Sequence, residues 1–305
     1  MSHGTKIALI ATVFNEADNL SRWWNCLMQQ TVLPDEIVIV DGGSRDQTWE
    51  ILQQLAKQSR VPVKLEQRRC NIAGGRNRAI ALTDADIIAA TDAGSFPEPE
   101  WFAEITRPLR EDEKLDVTGG LNVSNDTSPF QNFLAQLEPR VETGVSSDGI
   151  HPSSRNTAFR RSAWADVGGY PEWLTLAGED ALFTHELQKI GRIFFYNPKA
   201  IVHWSMRETA ADYFKLLYRN AYGAAEAQMY WPYFRQRLII SLCPPLLLLS
   251  RHRLRHFKFR YQKNFSSAHG WVAGKISGQR PPPGWRRVGG ILLSPEALRH
   301  HHHER

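Results

Sequence analysis

A chain of 305 residues, 42% apolar and 23% charged, can bury a large core; this excludes an extended polypeptide and fits one large domain or a domain with an appendage. Three cysteines, Cys26, Cys70 and Cys243, are odd in number and lack metal-type spacing, which argues against a disulfide framework or a zinc site and suits a reducing compartment. The net charge of +5 is unevenly spread: residues 1–231 carry 23 Lys/Arg against 30 Asp/Glu, whereas residues 232–305 carry 14 against 2.

The first apolar run, Ile7-Ala8-Leu9-Ile10-Ala11, follows a single lysine and leads into Asn15-Glu16 without a small-residue cleavage pattern. It reads as a strand over 6–13 rather than a signal peptide, and the protein is expected in the cytoplasm. A helix over 19–30 follows, then strand 36–41, helix 47–58, strand 62–66, helix 74–82, strand 86–92, helix 100–110 and strand 116–121. That alternation is the rhythm of a mostly parallel sheet with crossover helices. Asp46 is placed to cap the second helix, and Pro99 ahead of Trp101 suits another helix start. From 121 to about 160 the pattern loosens into loops and short elements. Order returns with a helix over 162–167, the turn Gly168-Gly169-Tyr170-Pro171, a helix from Glu179 to Ile190, strands near 192–196 and 199–203, and a helical stretch over 209–229.

Two of these strands, Ile37-Val38-Ile39-Val40 and Ile87-Ile88-Ala89-Ala90, are short and apolar throughout, the pattern of strands buried on both faces. Each is followed by an aspartate, Asp41 and Asp92. A carboxylate can follow such a run only where the strand leaves the core, and in an open α/β sheet that exit edge is where ligands bind. A nucleotide crevice is expected there. The turn Gly42-Gly43-Ser44 lets backbone approach a flat ring, and a carboxylate at Asp41 can accept the imide N–H of a uracil or thymine; a plain strand-turn-helix connection fits the same residues. Asn71, Gly74, Gly75, Arg76 and Arg78 open a helix where N–H groups and guanidinium can face a diphosphate, or form only a turn.

Together with Thr12-Val13-Phe14-Asn15-Glu16, these blocks resemble family 2 glycosyltransferases of the GT-A fold, in order along most of the first 230 residues. The resemblance implies a Rossmann-like, mostly parallel sheet with flanking helices, in a catalytic domain over 1–231 split into a nucleotide half (1–121) and an acceptor half (122–231). It implies nucleotide contacts from Thr12, Asn15, Glu16, Asp41, Gly43, Ser44, Asn71, Gly75, Arg76, Asp92 and Ala93. Gly178-Glu179-Asp180 resembles the block carrying the family's catalytic base, and Asp180 takes that role. Asn156, Glu179, Trp204 and Arg219 fall to the acceptor and diphosphate side. Gly94 stands where the family has the second aspartate of its metal motif, so Mg²⁺ or Mn²⁺ dependence is in doubt; Asp92 and His203 are the remaining candidate ligands.

The basic segment 232–305 contains the uncharged run Leu238 to Leu249, flanked by Arg235, Arg237, Arg251, Arg253 and Arg255. Twelve residues are too few to cross a bilayer, but apolar side chains flanked by arginines suit an anionic membrane surface through 232–260, on the inner face of the cytoplasmic membrane, rather than nucleic acid. A core helix is the plainer alternative. The expected activity is inverting transfer of a sugar from a nucleotide-diphosphate donor, UDP-linked first, to a hydroxyl of a lipid-linked saccharide or polysaccharide. Two alternatives stand beside it: a catalytically inactive, membrane-peripheral nucleotide-sugar binding module, and a sugar-phosphate nucleotidyltransferase. The second would need a Gly/Arg-rich loop after the first strand, where Thr12–Glu16 stands.

Overall fold

Parallel pairing of three buried apolar strands sets the architecture of the computed structural model, which describes residues 5–137, 141–146, 149–245 and 256–303. The first half alternates β1 (Ile7–Val13), α1 (Ala17–Met28), β2 (Glu36–Asp41), α2 (Thr48–Lys57), β3 (Val63–Gln67), α3 (Ile72–Ala81) and β4 (Ile87–Ala90), then β5 (Ser95–Pro97), α4 (Trp101–Glu111) and β6 (Val117–Ser124). The second half contains α5 (Pro129–Leu137), the two-residue strands β7 (Val141–Glu142), β8 (Val145–Ser146) and β9 (Gly149–Ile150), then β10 (Thr157–Arg160), α6 (Arg161–Asp166), α7 (Glu179–Lys189) and β11 (Phe194–Trp204). It closes with α8 (Ala210–Glu226), α9 (Trp231–Leu242), α10 (Phe257–Ser277), β12 (Arg286–Val288), β13 (Ile291–Leu293) and α11 (Pro295–His303).

The central sheet runs β3-β2-β1-β4-β10-β6-β11-β5, with β7 paired to β6. β1, β2, β3 and β4 are parallel, and the register sets Val13 beside Asp41 and Ile10 beside Ala90. β10 runs antiparallel between β4 and β6, so β6 and its parallel partner β11 point the same way as β1. The C-terminal ends of β1, β2, β4, β6 and β11 therefore share one edge. Side chains alternate across the sheet: Leu9, Ile37 and Ile39 pack under α1 and α4 with Trp23 and Trp101, whereas Ile10, Val38 and Ile88 pack under α3 and α7 with Ile80 and Phe183. Each such fully buried aliphatic side chain stabilises the fold by about 1.5–3 kcal/mol.

Three expectations are corrected. The two strands expected near 192–196 and 199–203 are a single strand, β11, with an irregularity between Asn197 and Ile201 that absorbs Pro198 without ending the pairing. The loosely patterned region after 121 supplies β10, an interior strand of the sheet. The boundary at 231 does not separate an appendage. Gly270 and Gly274 let α10 lie directly on the backbone of Tyr218 and Tyr222 in α8, and Leu293 and Ala297 are buried in the same core cluster as Ile10 and Phe183. Among the described residues no helix is long and apolar enough to cross a membrane. Leu246 to Leu249 and Arg251, Arg253 and Arg255 lie outside the described residues.

Candidate active site

At the exit of β2 the Asp41 carboxylate is wholly buried. Its Oδ1 accepts from the Ser44 hydroxyl (2.6 Å), the Ser44 N–H (2.9 Å) and the Gly43 N–H (3.2 Å), and its Oδ2 from Gln67 Nε2 (2.8 Å). Gly43 has φ +89°, a conformation that favours glycine. The Ser44 hydroxyl accepts from the Asn15 N–H (2.8 Å), the Asn15 side chain accepts from the Arg45 N–H (2.8 Å), and the Glu16 N–H donates to the Thr48 hydroxyl (2.8 Å). The β1 and β2 exits thus form one cross-braced rim. Asp41 is not exposed to accept a uracil N–H; it shapes the turn. Phe14, 55% exposed, flanks Gly42 and offers an open ring face at that rim.

The next block is structural where a diphosphate cradle was expected. Asn71 caps α3, accepting from the Gly74 N–H (2.9 Å) and donating to the carbonyls of Glu172 (2.6 Å) and Leu174 (3.1 Å). Any Cβ on Gly75 would collide with the Thr12 side chain, so this pair is a close contact between α3 and β1. Arg76 is buried and faces no open space. Its Nη1 lies 2.7 Å from Glu179 Oε1 and its Nη2 3.0 Å from Asp92 Oδ1, with the guanidinium 5.5 Å from the Tyr170 ring centre. One cation therefore ties α3, the exit of β4 and the start of α7. Asn77, which sequence reasoning passed over as a site residue, binds the turn ahead of α7: its Oδ1 accepts from the Tyr170 N–H (2.8 Å) and Trp164 Nε1 (2.9 Å), and its Nδ2 donates to Glu172 Oε1 (2.8 Å).

Gly178, at φ +94°, abuts Gly223 of α8 and turns the chain into α7. Glu179 then points inward to Arg76. Burial, with the charge on Asp180, pushes its carboxyl up against the pull of the guanidinium. Asp180 is half-buried; among the described residues its Oδ1 accepts from the adjacent Ala181 N–H (2.8 Å), and it lies within electrostatic reach of Arg76. The Arg219 Nη2 donates to the Leu176 carbonyl (3.2 Å), setting an exposed cation beside the same loop.

On the far side, the link from Asp92 to β5 carries Ala93, which is buried in the core. Gly94 is exposed, and a Cβ there would meet nothing within 4 Å. Trp204 pairs with Ser95, and the Arg155 guanidinium stacks over its ring at 4.4 Å. Asn156 is not an acceptor contact: fully buried, it accepts from Trp101 Nε1 (2.8 Å) and donates to the carbonyls of Leu121 and Ala200 (both 3.0 Å). His203 faces the side of the sheet opposite Trp204, and its Nε2 lies 2.8 Å from Glu98 Oε1, so it does not join Asp92. Glu16 is pushed up by burial and by the Asp92 charge, with Arg207 opposing. Arg207 thus stands by the acidic crevice, a cation that no strand or glycine signal announced.

For a divalent cation the fit is poor. One Asp92 oxygen is engaged by Arg76, residue 94 has no side chain, and no group of three metal-ligating side chains occurs among the described residues.

Comparison with known proteins decides the family. The family model described as glycosyl transferase family 2 matches residues 8–166, over half of the chain. The chain belongs to glycosyl transferase family 2. A second model, glycosyl transferase family group 2, matches residues 91–274 and so runs past 231. This family 2 glycosyltransferase is 25% identical over 221 residues to the O-antigen chain rhamnosyltransferase RfbN of Salmonella typhimurium, covering 69% of each chain. It is 22% identical to the glycosyltransferase AglE of Haloferax volcanii, covering 68% of this chain and 62% of that one. Among solved structures it is similar to the mannosyltransferase PcManGT of Pyrobaculum calidifontis with GDP-Man and Mn²⁺ (TM-score 0.58, 16% identity, 92% of this chain and 78% of that one). It is also similar to residues 1–349 of S. aureus TarS with UDP (TM-score 0.53, 17% identity, 94% and 95%). These likenesses show the GT-A fold.

Proposed function

We propose that the enzyme transfers a sugar, with inversion, from a nucleoside-diphosphate sugar to a hydroxyl of a lipid-linked saccharide or growing polysaccharide. The carrying observation is the pairing of Glu179 with Asp180: Glu179 is spent on Arg76, which leaves Asp180 as the half-exposed carboxylate beside the assembly that includes Asp92. Asp180 takes the proton of the acceptor hydroxyl as that oxygen bonds to the anomeric carbon, and the bond from that carbon to the diphosphate oxygen breaks on the opposite face. Arg207, within electrostatic reach of Glu16, and Arg219, beside the Leu176 carbonyl, are exposed cations at this loop and crevice, and they oppose the negative charge that develops on the leaving diphosphate.

UDP-sugars are the first donors to test, because TarS carries UDP in the structure it resembles; GDP-sugars follow, since PcManGT carries GDP-Man. The O-antigen rhamnosyltransferase among the relatives supports an acceptor of the cell-envelope saccharide class, assembled on the inner face of the cytoplasmic membrane. The Asp180→Asn variant is expected to bind the nucleotide as the parent does and to lose about 10²–10⁴-fold in transfer, measured as nucleotide release. Unimpaired turnover would remove Asp180 from the mechanism. Nucleotide binding by the parent with no release against any acceptor would favour a binding module.

A further inference from the structure

We infer that the outward face of α9 is a docking surface for an anionic lipid bilayer. This helix is apolar on two sides. Phe234 faces α10, where it packs near Trp271. Trp231, at the start of the helix, also packs on Trp271 (ring centres 4.7 Å); the side turned away from α10 carries Ile239, 49% exposed, with Leu242, 78% exposed, at its edge near the helix end. Pro232, Arg235, Gln236, Ile239 and Ile240 line an open groove along it. A helix with apolar side chains on opposite faces needs cover on both, and here one face has none among the described residues.

Charge selects the occupant. From 232 to 295 the sequence has twelve Lys/Arg and no Asp or Glu. A second copy of this surface would bring like charges together, whereas anionic headgroups attract them. Behind α9, Arg237 bonds Asn264 of α10 through Nη1 (3.0 Å) and stacks over the Tyr233 ring (4.0 Å), so it is engaged within the protein, and Arg235 is the cation of the outward groove. Exposed apolar side chains beside an arginine that has no carboxylate partner among the described residues are the arrangement of a helix lying in the interface plane. Nucleic acid would use the arginines but leave Ile239 and Leu242 without a role.

The test needs no turnover, so it stands or falls apart from the proposed transfer. The full chain is sedimented with vesicles of phosphatidylcholine, with and without phosphatidylglycerol, and the I239D/L242D and I239S/L242S variants are compared at equal salt. Expected are partition only onto the phosphatidylglycerol vesicles and a loss of about tenfold or more in both variants, with melting temperature and UDP binding kept. The inference is overturned by partition that ignores phosphatidylglycerol, by full binding in both variants, or by a parent dimer that the variants dissolve without any change in lipid binding.

Discussion

Arg76 shows how a residue read as a ligand contact can serve the site from within it. Its two nitrogens are committed to Glu179 and Asp92, so the guanidinium holds a buried carboxylate beside one that is about a third exposed. Removing one partner of such an assembly costs about 3–5 kcal/mol because the remaining charges are left uncompensated. Arg76→Leu is therefore expected to lower stability by that order in denaturant unfolding, and Arg76→Leu with Glu179→Leu to recover part of the loss; equal stabilities for the two would show that the pair is not coupled. Gly94 supports a second prediction. Since a Cβ there meets nothing within 4 Å and its φ is not positive, Gly94→Asp is expected to fold as the parent does and to bind Mn²⁺ with UDP about tenfold or more tightly. Calorimetry showing unchanged affinity would mean that position 94 does not face the diphosphate. At this scale the sequence exposed the carboxylates at the exits of buried strands, since apolar runs ending in acid are visible in one dimension. It did not expose which are filled: the four donors around Asp41 and the carbonyls around Asn156 come together only when the chain folds.

Elements with a strong apolar period were legible, and those held by partners were not. α1, α2 and α4 lie within two residues of their predicted limits because their buried stripes and the acids or prolines at their starts are local signals, whereas α7, buried on most sides, is located by the glycine and paired acids at its start. β10 has four residues and owes its place to β4 and β6 on either side, so nothing within Thr157–Arg160 announces an interior strand. α10 buries small and polar residues, Asn264, Ser266, Ser267, Gly270 and Gly274, rather than an aliphatic stripe, because it lies on the backbone of α8. The join of α7 to β13 and α11 carries a pH dependence. Glu186 is fully buried, its Oε1 accepts from the Ser294 N–H (2.6 Å) at the start of α11, and burial pushes its carboxyl up to about 8. The folded chain therefore holds a proton that the unfolded chain releases above its ordinary value of 4.5. Stability from this group is full below about pH 4.5, falls as pH rises toward 8, and is level beyond it. Glu186→Gln keeps the acceptor and removes the ionisation, so its melting temperature is expected to match the parent's at pH 5 and exceed it by about 3 °C or more at pH 9. The same difference at both pH values would assign the effect to packing instead.

For the whole molecule, charge divided the chain where the fold does not. An acidic body and a basic tail suggest two units, yet the tail's last elements complete the core of the first. Leu293 and Ala297 sit with Ile10 and Phe183, Leu292 with Leu174 and Leu182, and Glu186 and Glu226 accept from Ser294 and Gln279 across the same boundary. Helix α8 carries the connection to the site. Its Glu226 accepts from the Thr175 N–H (3.0 Å), its Arg219 holds the Leu176 carbonyl and its Gly223 backs onto Ala177, so the loop that presents Asp180 leans on the helix that α10 covers. If the tail were an appendage, deleting 279–305 would spare the body. Instead the deletion strips Leu292 and Leu293 from two core clusters, a loss of about 3–6 kcal/mol for the pair of side chains alone. It also leaves Glu186 without its N–H donor. The deleted chain is expected to unfold at markedly lower urea than the parent and to lose transfer together with stability; an unchanged midpoint would restore the boundary at 231 and detach α11 from the catalytic core.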